Sequence, residues 1–392
     1  MTVDKFQLPP YPHDKLRRIT LSAKEQGRKV VDLSIGTPCD PPSDQVTKAL
    51  LTPNVINGYP PSIGTSDLRN AARQMLERRF SVRVEESELA MCVGTKEFVA
   101  SLPHFLHLKN PGKDTVLYPA VSYPTYAMGA HTFGLRAVPV PPGVSGSMDF
   151  SAIGKEDLDR ALLLWVNTPA NPTGETEDLL AAAKFAADYG ITLCSDECYG
   201  EFTSPLERKS VLSCGKDNIL ALHSLSKRSN AAGLRVGFYA GDGELVHFLQ
   251  EIRKHLGLMI PGPIQAAGVE AFAEDEAVDR QWGIYKDRLS YLIDMLNGIG
   301  VKATMPKGGF YLWVKSPESY QKDPRLIKNG GKTENSGWLF TEDLAKYGAM
   351  LVSPGDFYGQ LGADHIRIAA VQPLEKLELI KSELEKSKLS FL

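Results

Sequence analysis

Five polar and reactive residues gather just past the ends of short apolar runs in the middle of this chain: Tyr123, Asn171, Asp196, Tyr199 and Lys227. The most telling stretch is Ser224-Leu225-Ser226-Lys227, followed by Gly233-Leu234-Arg235-Val236-Gly237. A lone lysine after a strand is usually a solvated charge. Here hydroxyls precede it, and an arginine between glycines lies eight residues on. Hydroxyls, backbone amides and an arginine fork are what a dianionic phosphate requires. A lysine held beside that phosphate can form a Schiff base with an aldehyde cofactor. The phosphate itself favours the charged amine, which is no nucleophile. A lysine already condensed with the aldehyde removes that conflict.

Asp196 closes the run Ile191-Thr192-Leu193-Cys194-Ser195-Asp196-Glu197, and Tyr199 follows three residues later. A buried carboxylate without a cation is costly. Facing a ring nitrogen, it would keep that nitrogen protonated and let the ring act as an electron sink. Alone, Ser195-Asp196-Glu197 reads equally as a strand-end turn or a helix cap; joined to Lys227 at the next strand end, the chemical reading gains. Asn167-Thr168-Pro169-Ala170-Asn171-Pro172-Thr173-Gly174 has the Asn, Pro and Gly density of a rigid loop. It is either a plain turn or a means of aiming Asn171 at a cofactor oxygen, with the Asn171-Pro172 bond open to the cis form. Val93-Gly94-Thr95-Lys96 precedes an apolar helix, whose N-terminus suits phosphate. Pro119-Ala120-Val121-Ser122-Tyr123-Pro124-Thr125-Tyr126 places Tyr123 either in ordinary packing or flat against a ring.

The elements that must position these residues are legible as short buried strands: 114–119, 136–141, 161–167, 191–197 and 219–225, rich in leucine and β-branched residues. Between two of them, 177–190 has helical apolar spacing and a glycine stop. Strands separated by helices imply crossovers and a mainly parallel sheet with helices on both faces. Open α/β sheets bind ligands beyond the carboxyl ends of their strands, so one site assembled from distant segments is expected. Both ends of the chain differ from the middle. Strands at 307–314 and 365–370, and a helix at 373–387, suggest a smaller α+β domain built from residues 1–45 and 286–392, beside a large domain at 46–285. A long helix near 275–300 would link the two.

Composition excludes several classes. At 392 residues with 43% hydrophobic and 23% charged side chains, the chain suits two packed α/β domains. A net charge of -3 leaves no electrostatic footprint for nucleic acid. The start has no apolar signal-peptide core, and the longest apolar run, 161–166, is far too short to cross a bilayer. A cytoplasmic protein is expected. Five cysteines make no disulfide framework. Cys194 and Cys198 flank Ser195-Asp196-Glu197, but no second Cys or His pair stands nearby at metal-ligand spacing, so they read as small apolar side chains on and after a buried strand.

Taken in order, these residues resemble the class I/II aminotransferases of the aspartate aminotransferase fold type, the PLP-dependent transferase fold type I. The likeness runs from Asp32-Leu33-Ser34-Ile35-Gly36-Thr37-Pro38 to Arg367, through Tyr59 with Gly64, Leu68 and Arg69. It implies pyridoxal 5'-phosphate (PLP) as cofactor, with Lys227 as its aldimine lysine and proton carrier. Asp196 would pair the pyridinium nitrogen, Asn171 and Tyr199 the phenolic oxygen, and Tyr123 would stack on the ring. Gly94, Thr95, Lys96, Ser224, Ser226 and Arg235 would bind phosphate. Arg367 would grip the substrate α-carboxylate, helped by the Gly36 backbone. Tyr59 would reach the phosphate of a neighbouring subunit, which implies a homodimer with shared active sites.

Longer stretches, 223–238, 253–267 and 353–359, are similar to the succinyldiaminopimelate aminotransferases of lysine biosynthesis. That likeness implies N-succinyl-LL-2,6-diaminopimelate as donor and 2-oxoglutarate as acceptor. Aspartate, alanine, aromatic amino acids and LL-diaminopimelate are the alternative donors. A PLP-dependent C–S lyase or decarboxylase and a PLP-binding regulator are the other readings of the same fold, the last requiring a DNA-binding module ahead of it. No equivalent of the second, partner-supplied arginine of dicarboxylate-specific enzymes can be placed. Arg253, Lys254 and His255 are the nearest basic cluster, either serving a long acidic substrate or forming a solvated helix face.

Overall fold

The structure, a computed structural model, describes residues 13–25, 27, 29–51, 56–326 and 335–387. Twelve strands follow one another among them. The first six are β1 (Val31–Asp32), β2 (Leu89–Cys92), β3 (Thr115–Pro119), β4 (Arg136–Val140), β5 (Ala161–Asn167) and β6 (Thr192–Asp196). Then come β7 (Ile219–Ser224), β8 (Gly237–Gly241), β9 (Tyr311–Lys315), β10 (Met350–Leu351), β11 (Ser353–Pro354) and β12 (His365–Ala369). Seven form one sheet in the order β2-β8-β7-β6-β5-β3-β4. From β7 to β4 every pairing is parallel, and β8 runs antiparallel to both β7 and β2.

Alternation along β5 shows why it is central. All seven of its residues are buried. Leu164 and Val166 join one apolar cluster with Ala182, Ala186 and Phe272, while Leu163 and Trp165 join another with Phe98, Leu102 and Leu249. Side chains of a strand point alternately to its two faces, so the sheet carries helices on both. One covering helix, Leu179–Tyr189, starts where Asp178 accepts from the Ala181 N–H and stops at Gly190 in the left-handed region. The strands read from the sequence at 114–225 form as β3 to β7. The short edge pair β2 and β8, rich in Ala and Gly, lies outside that reading.

A second core joins the two ends of the chain. Val31 and Leu33 pack with Leu289, Leu312, Ile366 and Leu377. β1 pairs in parallel with β10, Val31 opposite Met350, and β9, β11 and β12 form an antiparallel three-stranded sheet. The helix Asp275–Gly298 runs from an aromatic cluster into this core: Val278 and Tyr285 pack with Tyr199, Phe202 and Phe310, and Leu289, Leu292 and Leu296 lie in the terminal core. Residues 307–310 are not strand. Gly308 and Gly309 donate instead to the carbonyls of Gly174 and Phe202, and β9 begins only at Tyr311.

A clamp fastens the N-terminal segment to this helix. Arg288 is buried and pairs with both Asp40 carboxylate oxygens at 2.6 and 2.7 Å, while its Nη1 also donates to the Val371 carbonyl at 3.1 Å. Burial pushes the Asp40 carboxyl up, but hydrogen bonds from Arg288 and Gln281 outweigh it and hold it below the usual range. Its stabilising contribution is therefore present at neutral pH and lost as pH falls through that lowered value. Arg288→Met should cost on the order of 2 kcal/mol, less than a fully buried pair because Asp40 stays partly hydrated. The urea midpoint of the variant against the parent measures this at pH 7, and the difference should shrink as the medium is acidified below the carboxylate range.

Candidate active site

Parallel strands bring their carboxyl ends to one edge, and there the functional side chains meet. Asn167 ends β5 and lies opposite Asp196, the end of β6. Ser224 ends β7, and Lys227 stands on the short helix Leu225–Arg228 that follows it. A cavity of about 440 Å³ opens over these ends. Its wall brings together Gly36, Thr95, Lys96, Tyr123, Asn171, Asp196, Tyr199, Ser224, Ser226, Lys227, Arg235 and Arg367. Of the residues expected from the sequence, Gly94 stands just behind the wall. Tyr59 is outside it, 97% exposed.

Among the described residues, four cationic side chains and one carboxylate line the cavity, which marks it as an anion site. Lys227 Nζ donates to the Gly36 carbonyl. Burial, with the nearby positive charges of Arg367 and Arg235, pushes the Lys227 amine down to about 8, against a smaller raising influence from Cys198. Asp196 is held from two sides. The Tyr126 hydroxyl donates to Oδ2 at 2.8 Å and the Cys198 N–H to Oδ1 at 3.2 Å. Burial and the Asp196 charge hold Tyr126 well above the usual phenol range, so it remains a donor. Asn167 braces the loop: its Nδ2 donates to the Asp196 carbonyl and its Oδ1 accepts from the Asn171 N–H, each at 2.8 Å. The bonds before Pro169 and Pro172 are both cis.

Arg367, on β12, crosses from the terminal core into the cavity. Its Nη1 donates to Asn171 Oδ1 at 2.9 Å and its Nη2 to the Ser34 carbonyl at 2.5 Å. Its guanidinium lies 4.2 Å from the Tyr311 ring centroid and 4.9 Å from that of Tyr358, and its buried Nε has no partner among the described residues. Asn171 thus turns its oxygen to Arg367, leaving its Nδ2 amide as the group to donate.

A phosphate-sized cradle lies at the other end. Helix Thr95–Lys109 begins at Gly94, whose φ of 74° suits glycine, and a Cβ there would stand 2.2 Å from Arg235 Nη2. The first N–H groups of a helix have no intrahelical acceptor and favour anions. Ser224 Oγ donates to Ser226 Oγ at 3.0 Å and caps the Ser226 N–H. This donor set, the Tyr123 ring on the cavity wall, the acid at Asp196 and the lowered Lys227 amine fit a phosphorylated pyridine aldehyde.

Several lining residues escape a reading of the sequence. Tyr126 and Tyr311 stand inside the quoted motifs but look there like plain strand or loop surroundings. Cys198, in sequence only a metal ligand or filler, lines the cavity with its thiol 3.2 Å from Thr95 Oγ1. Ser34, Tyr358 and Ala232 carry no signal beyond their neighbours. The basic cluster divides: Lys254 and His255 form the exposed helix face that is one of its two readings, and Arg253 departs from both. Arg253 is 1% exposed, pairs with Glu97 and lies over the Phe98 and Tyr239 rings. It is neither free for a substrate nor a solvated face. Lys254 pairs with Glu251 on the surface.

The chain belongs to the class I and II aminotransferases, a match that covers residues 28–380. These are PLP-dependent enzymes of the fold seen here. It is 35% identical to the 4-dedimethylamino-4-oxo-anhydrotetracycline transaminase OxyQ of Streptomyces rimosus, over 96% of this chain and 99% of that one. It is 31% identical to the LL-diaminopimelate aminotransferase of Aquifex aeolicus, over 94% of each. A solved structure from Thermus thermophilus, described as a probable N-succinyldiaminopimelate aminotransferase, superposes with a TM-score of 0.83 at 27% identity, covering 96% of this chain and all of that one. Among the described residues no helix is long and apolar enough to cross a membrane.

The lowered amine at Lys227 has a kinetic consequence. A protonated amine cannot attack a carbonyl, so the rate at which cofactor-free protein captures PLP should rise about tenfold per pH unit below 8 and level off above it. Absorbance-monitored capture across about pH 6–10 checks this; a rise that levels off only near the ordinary lysine range would show an amine that is not lowered.

Proposed function

We propose that this aminotransferase takes a long acidic donor, N-succinyl-LL-2,6-diaminopimelate, with 2-oxoglutarate as acceptor, as in lysine biosynthesis. One observation carries the acidic preference. Lys96 lines the cavity with no carboxylate partner among the described residues, its ammonium 5.7 Å from the Tyr123 ring centroid. It is a free cation at the cavity wall, apart from Arg367, suited to the far carboxylate of a donor or of 2-oxoglutarate. LL-diaminopimelate is the second reading, favoured by the Aquifex aeolicus relative.

In this reading each side chain has one task. PLP, when bound, supplies an electrophilic carbonyl and a cationic ring that takes up the electron pair released at the substrate α-carbon. Lys227 Nζ holds the cofactor and removes the proton from that α-carbon. Asp196, held as an acceptor by Tyr126 and the Cys198 N–H, faces the pyridine nitrogen and keeps its proton in place. Asn171 Nδ2 and the Tyr199 hydroxyl donate to the phenolic oxygen, and Tyr123 covers the ring. The amides at Thr95 and Lys96, the Ser224 and Ser226 hydroxyls and Arg235 hold the phosphate behind Gly94. Arg367 pairs with the substrate α-carboxylate in the bidentate geometry its fork permits, and Gly36 keeps the backbone close. Binding energy at the remote end then helps position the α-carbon over Lys227. Tyr59, exposed on its own chain, completes the phosphate site of a second copy in a cytoplasmic homodimer.

A panel of donors paired with 2-oxoglutarate tests the substrate: the succinylated donor should give the highest kcat/KM, above LL-diaminopimelate, aspartate, alanine and aromatic amino acids. Lys96→Gln should lower it for acidic donors by roughly tenfold or more and leave alanine much less affected, the loss of a charge-assisted contact. Alanine or an aromatic donor leading the panel would overturn the acidic reading, and turnover without any oxo-acid would point to a lyase instead.

The shared site has its own test. Mixing inactive Tyr59→Phe and Lys227→Ala proteins under conditions of subunit exchange should restore activity through hybrids holding one intact site. Hybrids proven by mass that stay inactive would place Tyr59 outside the site.

A further inference from the structure

Tyr311 touches three parts of the site at once and has no part in the assignments above. Its hydroxyl lies 2.9 Å from that of Tyr199. Its ring face carries the Arg367 guanidinium. A Cβ on Gly36 would fall 1.8 Å from its oxygen, so the glycine is there because this hydroxyl fills the space. Both tyrosines are buried.

Two hydroxyls share one link that either could donate, and the role proposed for Tyr199 gives it a direction. The Tyr311 oxygen has no hydrogen-bond partner but Tyr199 among the described residues. If Tyr199 donated to it, the Tyr199 proton would be spent on the link and unavailable to the phenolic oxygen assigned to it above. If Tyr311 donates, its proton is satisfied and the Tyr199 proton is free for an acceptor in the cavity. Burial, with the Tyr311 neighbour, keeps Tyr199 well above the usual phenol range and hence protonated.

We infer that Tyr311 is a positioning residue: its hydroxyl donates to Tyr199 so that Tyr199 donates to the cofactor's phenolic oxygen, and its ring seats Arg367 for the substrate carboxylate. Hydrogen bonds in a chain polarise one another, so the Tyr199 donor is strengthened by the one behind it. The same side chain thus joins substrate grip and cofactor hydrogen bonding. This rests on the placement of Tyr199 and Arg367 proposed above.

The test reads the visible absorption band of PLP-loaded protein as a function of pH, since donors to the phenolic oxygen favour the form in which that oxygen is left as an anion. Tyr199→Phe should raise the midpoint. Tyr311→Phe, which keeps the ring, should raise it by roughly 0.4 to 1 unit, the effect of one net hydrogen bond, with KM for donor and acceptor unchanged. The double Phe variant should match Tyr199→Phe, because Tyr311 acts through it. Tyr311→Leu should in addition raise KM for both substrates several-fold through the lost cation–π seat. A midpoint unmoved by Tyr199→Phe would sink the placement of Tyr199 itself. A midpoint moved by Tyr199→Phe but not by Tyr311→Phe, or additive shifts in the double variant, would overturn the inference alone. An unchanged KM in Tyr311→Leu would overturn the seat at Arg367.

Discussion

Like charge gathered in one small space is the constraint on which this structure turns. Lys96, Lys227, Arg235 and Arg367 line a cavity with Asp196 as its only carboxylate among the described residues. Lys96 and Arg235 keep contact with water, but Lys227 and Arg367 are withdrawn from it, where cations are costly without partners, and the fold answers with partial charges rather than acids. Carbonyls of Gly36 and Ser34 face Lys227 and Arg367, an amide oxygen of Asn171 takes a guanidinium proton, and two tyrosine faces lie against Arg367. Such groups steady the cations without cancelling them. The remaining positive field suits the cavity to anions.

That arrangement dictates where the cores must lie. The sheet delivers Asn167, Asp196, Ser224 and Lys227, while the terminal core delivers Ser34, Gly36, Tyr311, Tyr358 and Arg367. An aromatic cluster of Tyr199, Phe202, Tyr285, Phe310 and Tyr311 fills the junction, and the Arg288 clamp fixes the segment after Gly36 against the spanning helix. Arg253 and Glu97 brace the helix Thr95–Lys109 from behind, a stiffening task that a basic cluster in sequence does not announce.

The sheet strands are legible in the sequence because each is a short apolar run ending in a turn residue, and burial on both faces makes such runs continuous. Residues with distinctive chemistry at those ends, Asn171, Asp196 and Lys227, are legible for the same reason. The edge pair β2 and β8 is not, since Leu89–Cys92 and Gly237–Gly241 are brief and carry no apolar–polar alternation. Tyr126 and Tyr311 are hidden differently. An aromatic in an apolar run reads as packing, and only tertiary approach shows that its hydroxyl meets Asp196 or Tyr199. Arg253 misleads because charge in a helix suggests solvent until its partner Glu97, 156 residues away, is seen.

The pairing of the two ends of the chain also sets a timetable. Ser34 and Arg367, bonded in the finished cavity, are separated by 333 residues, and β1 has its partner only in β10. At ribosomal rates of about 5–20 residues per second, the first strand waits roughly twenty seconds to a minute for that partner to be made. The parallel sheet can condense meanwhile, but without the floor at Gly36 and the arginine at 367. Assembly of the pocket therefore waits for residue 367, and the nascent chain holds its sheet strands well before the Ser34–Arg367 contact can close.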